Sequence, residues 1–238
     1  MEQFRFTFQQ NQFWGKCEPC TPAVFNNIID SADVANKIST RQAVEAAIAQ
    51  GQPMNEWLQR TDFQEFCQKQ ENNPKTRKSF LPLGSQQRLI QWVNSLKLSL
   101  PCFIFGVRWF DGVRRLQAEI KQLSGLFMFD GDHLPMSPRD LFERTQAPGF
   151  PWTIRLAHAT SSGHGLRLVC EARPEVGNIA DCQIVLARDL GLMGMIGTTG
   201  KAVADDSCID ASRISYAPRR EDIYFIDENG LFNNDNNK

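Results

Sequence analysis

Two aspartates one residue apart at the end of an apolar run, LFMFDGDHL, carry the most pointed chemistry in this 238-residue chain. In a strand, residues i and i+2 point the same way, so Asp130 and Asp132 would hold both carboxylates over one spot. Like charges that close repel unless a cation stands between them, and Mg2+ or Mn2+, hard ions that take oxygen ligands, would supply it. The plainer use of the same residues is a turn through Gly131, with one aspartate capping it and the other in solvent.

A second segment, SSGHGLRLV, sets Ser162, Gly163, His164 and Gly165 in a turn and Arg167 on the strand that follows. Glycines let backbone N–H groups approach a ligand, and an arginine beside them can grip phosphate oxygens through two parallel hydrogen bonds. That combination suits a triphosphate, with Arg167 preferred as the phosphate ligand and His164 second; a bare hairpin turn would need the same glycines. The third segment, ADDSCIDASRISYAP, puts Asp205, Asp206 and Asp210 ahead of Arg213. One of these acids could complete a metal site and Arg213 could steady it or bind phosphate, unless Asp210 merely caps a turn.

The elements that must position these groups follow from patterning. EQFRFTFQQ alternates at period two and reads as a strand. Ser31 to Gln50 is helical, and Ser39 or Thr40 as an internal cap divides it into two short helices. Met54 to Gln70 is helical, ENNPKTRKS a polar loop, and Gln86 to Leu98 a helix ended before Pro101. Beyond Pro101, CFIFGVRWF and LFMFD are strands, while VRRLQAEIKQL fits helix or strand. Ser137 with Pro138 opens a helix. Thr153 to Ala159 and Leu166 to Glu171 form a hairpin, Asn178 to Leu192 an amphipathic helix, RISYA and DIYFID strands, and NNDNNK a disordered tail. The expected class is α+β. Residues 1–100 would be an N-terminal strand plus a helical part packed on a core of residues 101–230, with 231–238 a tail, the whole forming a single compact domain.

Composition bounds the rest. Twenty-six basic and twenty-seven acidic side chains leave no net field to draw the chain onto nucleic acid, so contact must come from local patches such as Lys75, Arg77 and Lys78, Arg108, Arg114 and Arg115, or Arg213, Arg219 and Arg220. No apolar run approaches the roughly 20 residues of a membrane span. Seven cysteines and no apolar signal segment after Met1 set the expectation in the cytoplasm. Cys17 and Cys20 form one CxxC, but no second pair completes a zinc site.

The order of the three segments resembles the archaeo-eukaryotic primase superfamily, in particular the VirE-type N-terminal domain of primases from mobile elements. FDGD looks like its acidic strand, SSGHGLR like its glycine hairpin, ADDSCIDASR like its late acid-and-arginine segment, and KSFLP like an upstream part; the likeness runs from about Lys75 to Asp227. Two positions depart from the pattern: Ala204 stands where a larger apolar residue is usual, and Arg167 where His or Lys is frequent. The resemblance implies an RRM-like mixed sheet as catalytic core, with Asp130, Asp132 and Asp205 or its rival Asp206 holding Mg2+ or Mn2+. It implies template-directed nucleotidyl transfer from nucleoside triphosphates on single-stranded DNA in plasmid or mobile-element replication, often beside a replicative helicase. Arg108 and Trp109 are candidates for template contact, with core packing the competing use of Trp109. Two other classes fit less of the pattern: a non-catalytic single-stranded nucleic-acid-binding replication protein, and a metal-dependent replication-initiator nuclease, which would want a His pair near Tyr216 or Tyr224.

Overall fold

The computed structural model describes residues 3–112, 115–204 and 210–233. The chain opens with strand β1 (Thr7–Gln9) and a short β2 (Glu18–Pro19). Helix α1 (Pro22–Ile29) starts where the Thr21 hydroxyl accepts from the Val24 N–H and Pro22 supplies a pre-set φ, and α2 (Ala32–Ala49) is capped in the same way by Ser31. Helices α3 (Asn55–Leu58), α4 (Thr61–Asn72), α5 (Arg77–Phe80) and α6 (Ser85–Leu98) complete the helical part. Strands β3 (Cys102–Ile104), β4 (Val107–Phe110), β5 (Ile120–Leu123) and β6 (Leu126–Gly131) follow, then α7 (Pro138–Arg144), the hairpin β7 (Ile154–Ala159) and β8 (Leu166–Glu171), and α8 (Ile179–Asp189). β9 (Ser215–Tyr216), β10 (Ile223–Ile226) and α9 (Glu228–Phe232) end the described chain.

The molecule is mixed α/β with antiparallel sheets. One sheet has the order β10-β7-β8-β6 and another β2-β1-β3-β9, while β4 and β5 form a separate ribbon. In the first sheet, β6-α7-β7 encloses β8 between its two parallel strands, and β8-α8-β10 encloses β7, so two split βαβ units interleave. Alternation along β6 sends Phe127 and Phe129 into one cluster with Leu141 of α7 and Leu186 of α8. The other face presents Leu126, Leu156 and Val169 to Phe6, Phe25, Phe103 and Phe105, so the first strand of the chain shares both a sheet and a core with the second half. A third cluster, centred on Phe63, Leu89 and Trp92, lies among the helices.

Several expectations need correcting. Ser31 to Gln50 is one helix, because Val34, Ile38, Arg41, Val44 and Ala47 run as an unbroken buried stripe; Ser39 receives Arg219 instead of capping. The helix expected from Met54 to Gln70 breaks at Arg60, whose extended backbone starts α4. The polar loop ENNPKTRKS is partly helical, covered by the end of α4 and by α5. CFIFGVRWF turns after Ile104, so its halves join different sheets. VRRLQAEIKQL yields a 3-10 turn followed by β5. Leu231 and Phe232, expected in the tail, are buried in α9 against the core, and nearly all of NNDNNK lies outside the described residues. Among those described, no helix is long and apolar enough to cross a membrane.

Candidate functional site

Period-two alternation places Asp130 on the same face as Leu126, turned away from α7 and α8. Register then sets it directly opposite Arg167 on β8, which lies opposite His158 on β7, which lies opposite Ile223 on β10. Arg167 is ion-paired to Asp130 through Nη2 and donates from Nη1 to the Ser215 hydroxyl at 3.2 Å. One of the two carboxylates is thus already paired with a guanidinium.

β6 ends at Gly131, and the backbone is pinned just beyond it. Gly131 bridges Ala204, Asp132 N–H donates to Val203 O at 3.0 Å, and Leu134 N–H donates to His164 O at 3.1 Å. His133 turns the chain with φ of 52°, a conformation few non-glycine residues adopt. Gly165 is what lets the β7–β8 turn close on this corner: a Cβ there would stand 2.7 Å from Gly131 O and 2.9 Å from an Asp132 carboxylate oxygen.

Together these groups line a cavity of about 380 Å3. Asp130, Asp132, Ser162, Arg167 and Arg213 all reach it, from β6, the hairpin turn, β8 and the approach to β9. His164 does not; it is exposed, and its backbone serves the turn. Gly163 and Gly165 shape the turn and are absent from the lining. Asp205 and Asp206 lie outside the described residues. Asp210 accepts from the Ser212 N–H and hydroxyl, both at 2.8 Å, and so caps a turn.

Several wall residues had no motif to announce them. Arg41 projects from α2 and donates to the Ser161 hydroxyl at 3.1 Å, so the helical part of the chain buttresses the glycine turn. Lys97, from the end of α6, lies 5.1 Å from the Tyr216 ring centroid. Arg115, Gln12 and Tyr216 close the cavity, with Tyr216 Oη donating to Gln12 Oε1. The one available signal for Arg41 was an arginine standing three residues from Ile38 and from Val44 on the apolar stripe of α2.

Other basic patches serve different ends. Arg219 pairs with Asp222 and Arg220 with Asp30, tying the C-terminal segment to the first helices. Lys75, Arg77 and Lys78 are exposed and away from the cavity, and Arg114 lies outside the described residues. Trp109 is 45 % exposed, so core packing is not its use.

The electrostatics favour a charged ligand. Among the described lining residues, five cationic side chains face two carboxylates. Burial, reinforced by Asp130, pushes the Asp132 carboxyl up against the opposing pull of Arg167, His133 and Lys97. Burial, with Arg41 and Arg167 beside it, pushes the Lys97 ammonium down. Asp130 Oδ1 is buried and accepts no hydrogen bond from any described residue. A buried carboxylate oxygen without a donor, next to a second carboxyl whose pKa burial and the neighbouring acid raise, is a donor set that fits a hard divalent cation. Among the described residues no group of three or more His, Cys, Asp or Glu converges as ligands.

Residues 95–187 are similar to the family described as BT4734-like, N-terminal domain. That stretch runs from the end of α6 into α8 and so holds Lys97, Asp130, Asp132, the glycine turn and Arg167, while Gln12, Arg41, Arg213 and Tyr216 fall outside it. Among curated proteins and among solved structures, nothing matches the chain.

Proposed function

We propose that the chain is a metal-dependent nucleotidyl transferase of the primase kind, extending a strand on a single-stranded DNA template from nucleoside triphosphates. The observation that carries this reading is the joint presence of Asp130 and Asp132 with a wall of cationic side chains in one 380 Å3 cavity. Carboxylates alone would suit a cation store and cations alone any anion; the pairing suits a phosphoryl substrate delivered with its metal. The interleaved split βαβ units give this reading a four-stranded antiparallel platform, which departs from the RRM order in that β10 docks on the β7 edge and not beside β6. The resemblance to VirE-type primase domains adds a setting in mobile-element replication, beside a helicase on another chain.

In this reading Asp130 and Asp132, with Asp205 or Asp206, hold Mg2+ or Mn2+, which when bound activates the attacking 3′-hydroxyl and lowers the charge on the triphosphate. Arg41, Lys97 and Arg213 hold phosphate oxygens, and Ser161 and Ser162 offer hydroxyl donors. Arg167 keeps Asp130 oriented.

The Arg167–Asp130 ion pair itself favours a second reading, a non-catalytic module that binds single-stranded nucleic acid, since one acid already has a cation. Incubation with single-stranded template, labelled nucleoside triphosphates and Mn2+ or Mg2+ separates the two. Template-dependent products that disappear in Asp132→Asn support transfer; strand binding without product under every metal and nucleotide condition supports the module.

A further inference from the structure

The loop after β1 carries two adjacent aromatic side chains that the fold leaves in solvent, Phe13 at 72 % exposure and Trp14 at 45 %. The loop is held in shape. Phe13 N–H donates to Asn11 Oδ1 at 2.9 Å, Trp14 N–H to Asn11 O at 3.1 Å, and Gln9 Nε2 to Trp14 O at 2.5 Å. A single exposed apolar residue asks for no explanation, but two neighbours on a fixed turn present a surface.

Their place gives that surface a use. Gln12, the residue before Phe13, lines the cation-walled cavity and accepts a hydrogen bond from Tyr216, which lines it too. Consecutive Cα atoms are about 3.8 Å apart, so the Cα atoms of Phe13 and Trp14 lie within about 8 Å of that of Gln12, a residue of the cavity wall. A ligand long enough to pass Gln12 has cations inside the cavity and two exposed rings one and two residues along the chain to engage. Single-stranded nucleic acid has both matching parts, phosphates for Arg41 and Lys97 and a π-face on every base for the rings.

We infer that Phe13 and Trp14 form a stacking platform for the bases of a single strand whose phosphates enter the cavity. This deepens the proposed function and rests on it for the identity of the strand. Because each base has a face to stack, the platform binds without sequence preference.

The test compares a fluorescently labelled oligothymidylate with an abasic strand of equal length, by anisotropy, on wild type, Phe13→Ala/Trp14→Ala, Phe13→Tyr/Trp14→Phe and Lys97→Met. Base stacking is worth about 1–3 kcal/mol per base, so the alanine pair should weaken the base-bearing strand by about fivefold or more and leave the abasic strand unchanged. The aromatic pair should restore binding, and Lys97→Met should weaken both strands alike. Equal affinity of wild type for the two strands, equal loss on both in the alanine pair, or no strand binding by wild type overturns the inference. So does a dimer, seen by sedimentation, that the alanine pair abolishes while strand binding persists. Synthesis that proceeds without the stacking signature sinks this inference alone. The signature without synthesis under any metal sinks the nucleotidyl-transfer reading and leaves the platform standing.

Discussion

Asp130 and Arg167 are registered partners across β6 and β8, both buried, and their side chains close an ion pair at the wall of the cavity. Breaking a buried pair by removing one member costs about 3–5 kcal/mol, because the survivor is left charged and unpaired. Arg167→Met should therefore lower unfolding stability in urea by that order. Asp130→Asn should cost less, since Arg167 keeps Ser215 and the amide still accepts. If the acids are cation ligands, millimolar Mg2+ or Mn2+ will stabilise Arg167→Met more than wild type, the ion taking over the guanidinium's place. Equal metal response in the two proteins would argue against Asp130 as a ligand.

The parts of the fold legible beforehand were those specified locally. Phe127 and Phe129 alternate with Leu126 and Met128, Ser137 and Pro138 announce α7, and Asn178 caps α8. Asp130, Asp132, Ser162, Arg167 and Arg213 do share one cavity, because strand period and hairpin register suffice to bring most of them together. What stayed hidden was tertiary. Arg41, Lys97 and Gln12 reach the same corner only because α2 packs on the β7–β8 turn and β1 pairs with β3, contacts separated by as many as 120 residues. His158 escaped because the turn histidine, His164, sits in a motif, whereas His158 reads as part of an ordinary strand. Ser39 was misread as a cap because its true partner, Arg219, is 180 residues away.

Gly165 and Gly163 make a controlled pair. Alanine at Gly165 drives a Cβ to within 2.9 Å of an Asp132 carboxylate oxygen and of the Thr160 hydroxyl. It should cost about 1–3 kcal/mol as overpacking and also weaken binding of a nucleoside triphosphate with Mg2+, because the carboxylate must move. Alanine at Gly163, whose φ is +78°, should cost about 1–2 kcal/mol through backbone strain, with the Gln42 side chain, 3.3 Å from the added Cβ, giving slightly, and leave ligand binding near wild type. Calorimetric titration beside thermal unfolding reads both; equal loss of binding in the two variants would remove Gly165 from any special role.

At the other end of the same sheet face, Arg5 is 2 % exposed and donates to Ser124 O, Gly230 O and both oxygens of Glu171, which Arg155 also holds at 2.7 Å. Arg5→Met strands two carbonyls and half a carboxylate, and should cost about 3–5 kcal/mol in urea unfolding. Arg5→Lys should recover little of it, since an ammonium cannot span the fork. Burial raises the Glu171 carboxyl, but the hydrogen bonds from Arg5 and Arg155 outweigh it and hold the group below the usual range. Its contribution is therefore present above the ordinary glutamate pKa of about 4.3 and lost as pH falls through the folded value. Full stability in Arg5→Lys would show that charge, not the fork, is what the site requires.

His158 gives acid sensitivity in a different window. The ring is 1 % exposed, Nδ1 lies 2.7 Å from Ala159 O, and Nε2 finds no partner among the described residues. Burial first, and then the neighbouring Arg167 charge, push its pKa down to about 3. An unfolded histidine titrates near 6.5, so between about 6.5 and 3 the unfolded chain binds a proton that the folded chain refuses. Stability should be level above about pH 6.5 and fall below it by up to about 1.4 kcal/mol per pH unit from this group. The carboxylates of Glu171 and Asp227, both held low, release their stabilisation only below about pH 4.5, and the raised Asp132 carboxyl acts in the opposite sense, gaining stability as pH falls, so at pH 5–6.5 the loss is the histidine's. Urea unfolding at pH 7.5, 6.0 and 5.0 should show His158→Leu losing distinctly less than wild type across that interval; parallel losses would mean that the buried ring is not what makes the fold acid-sensitive.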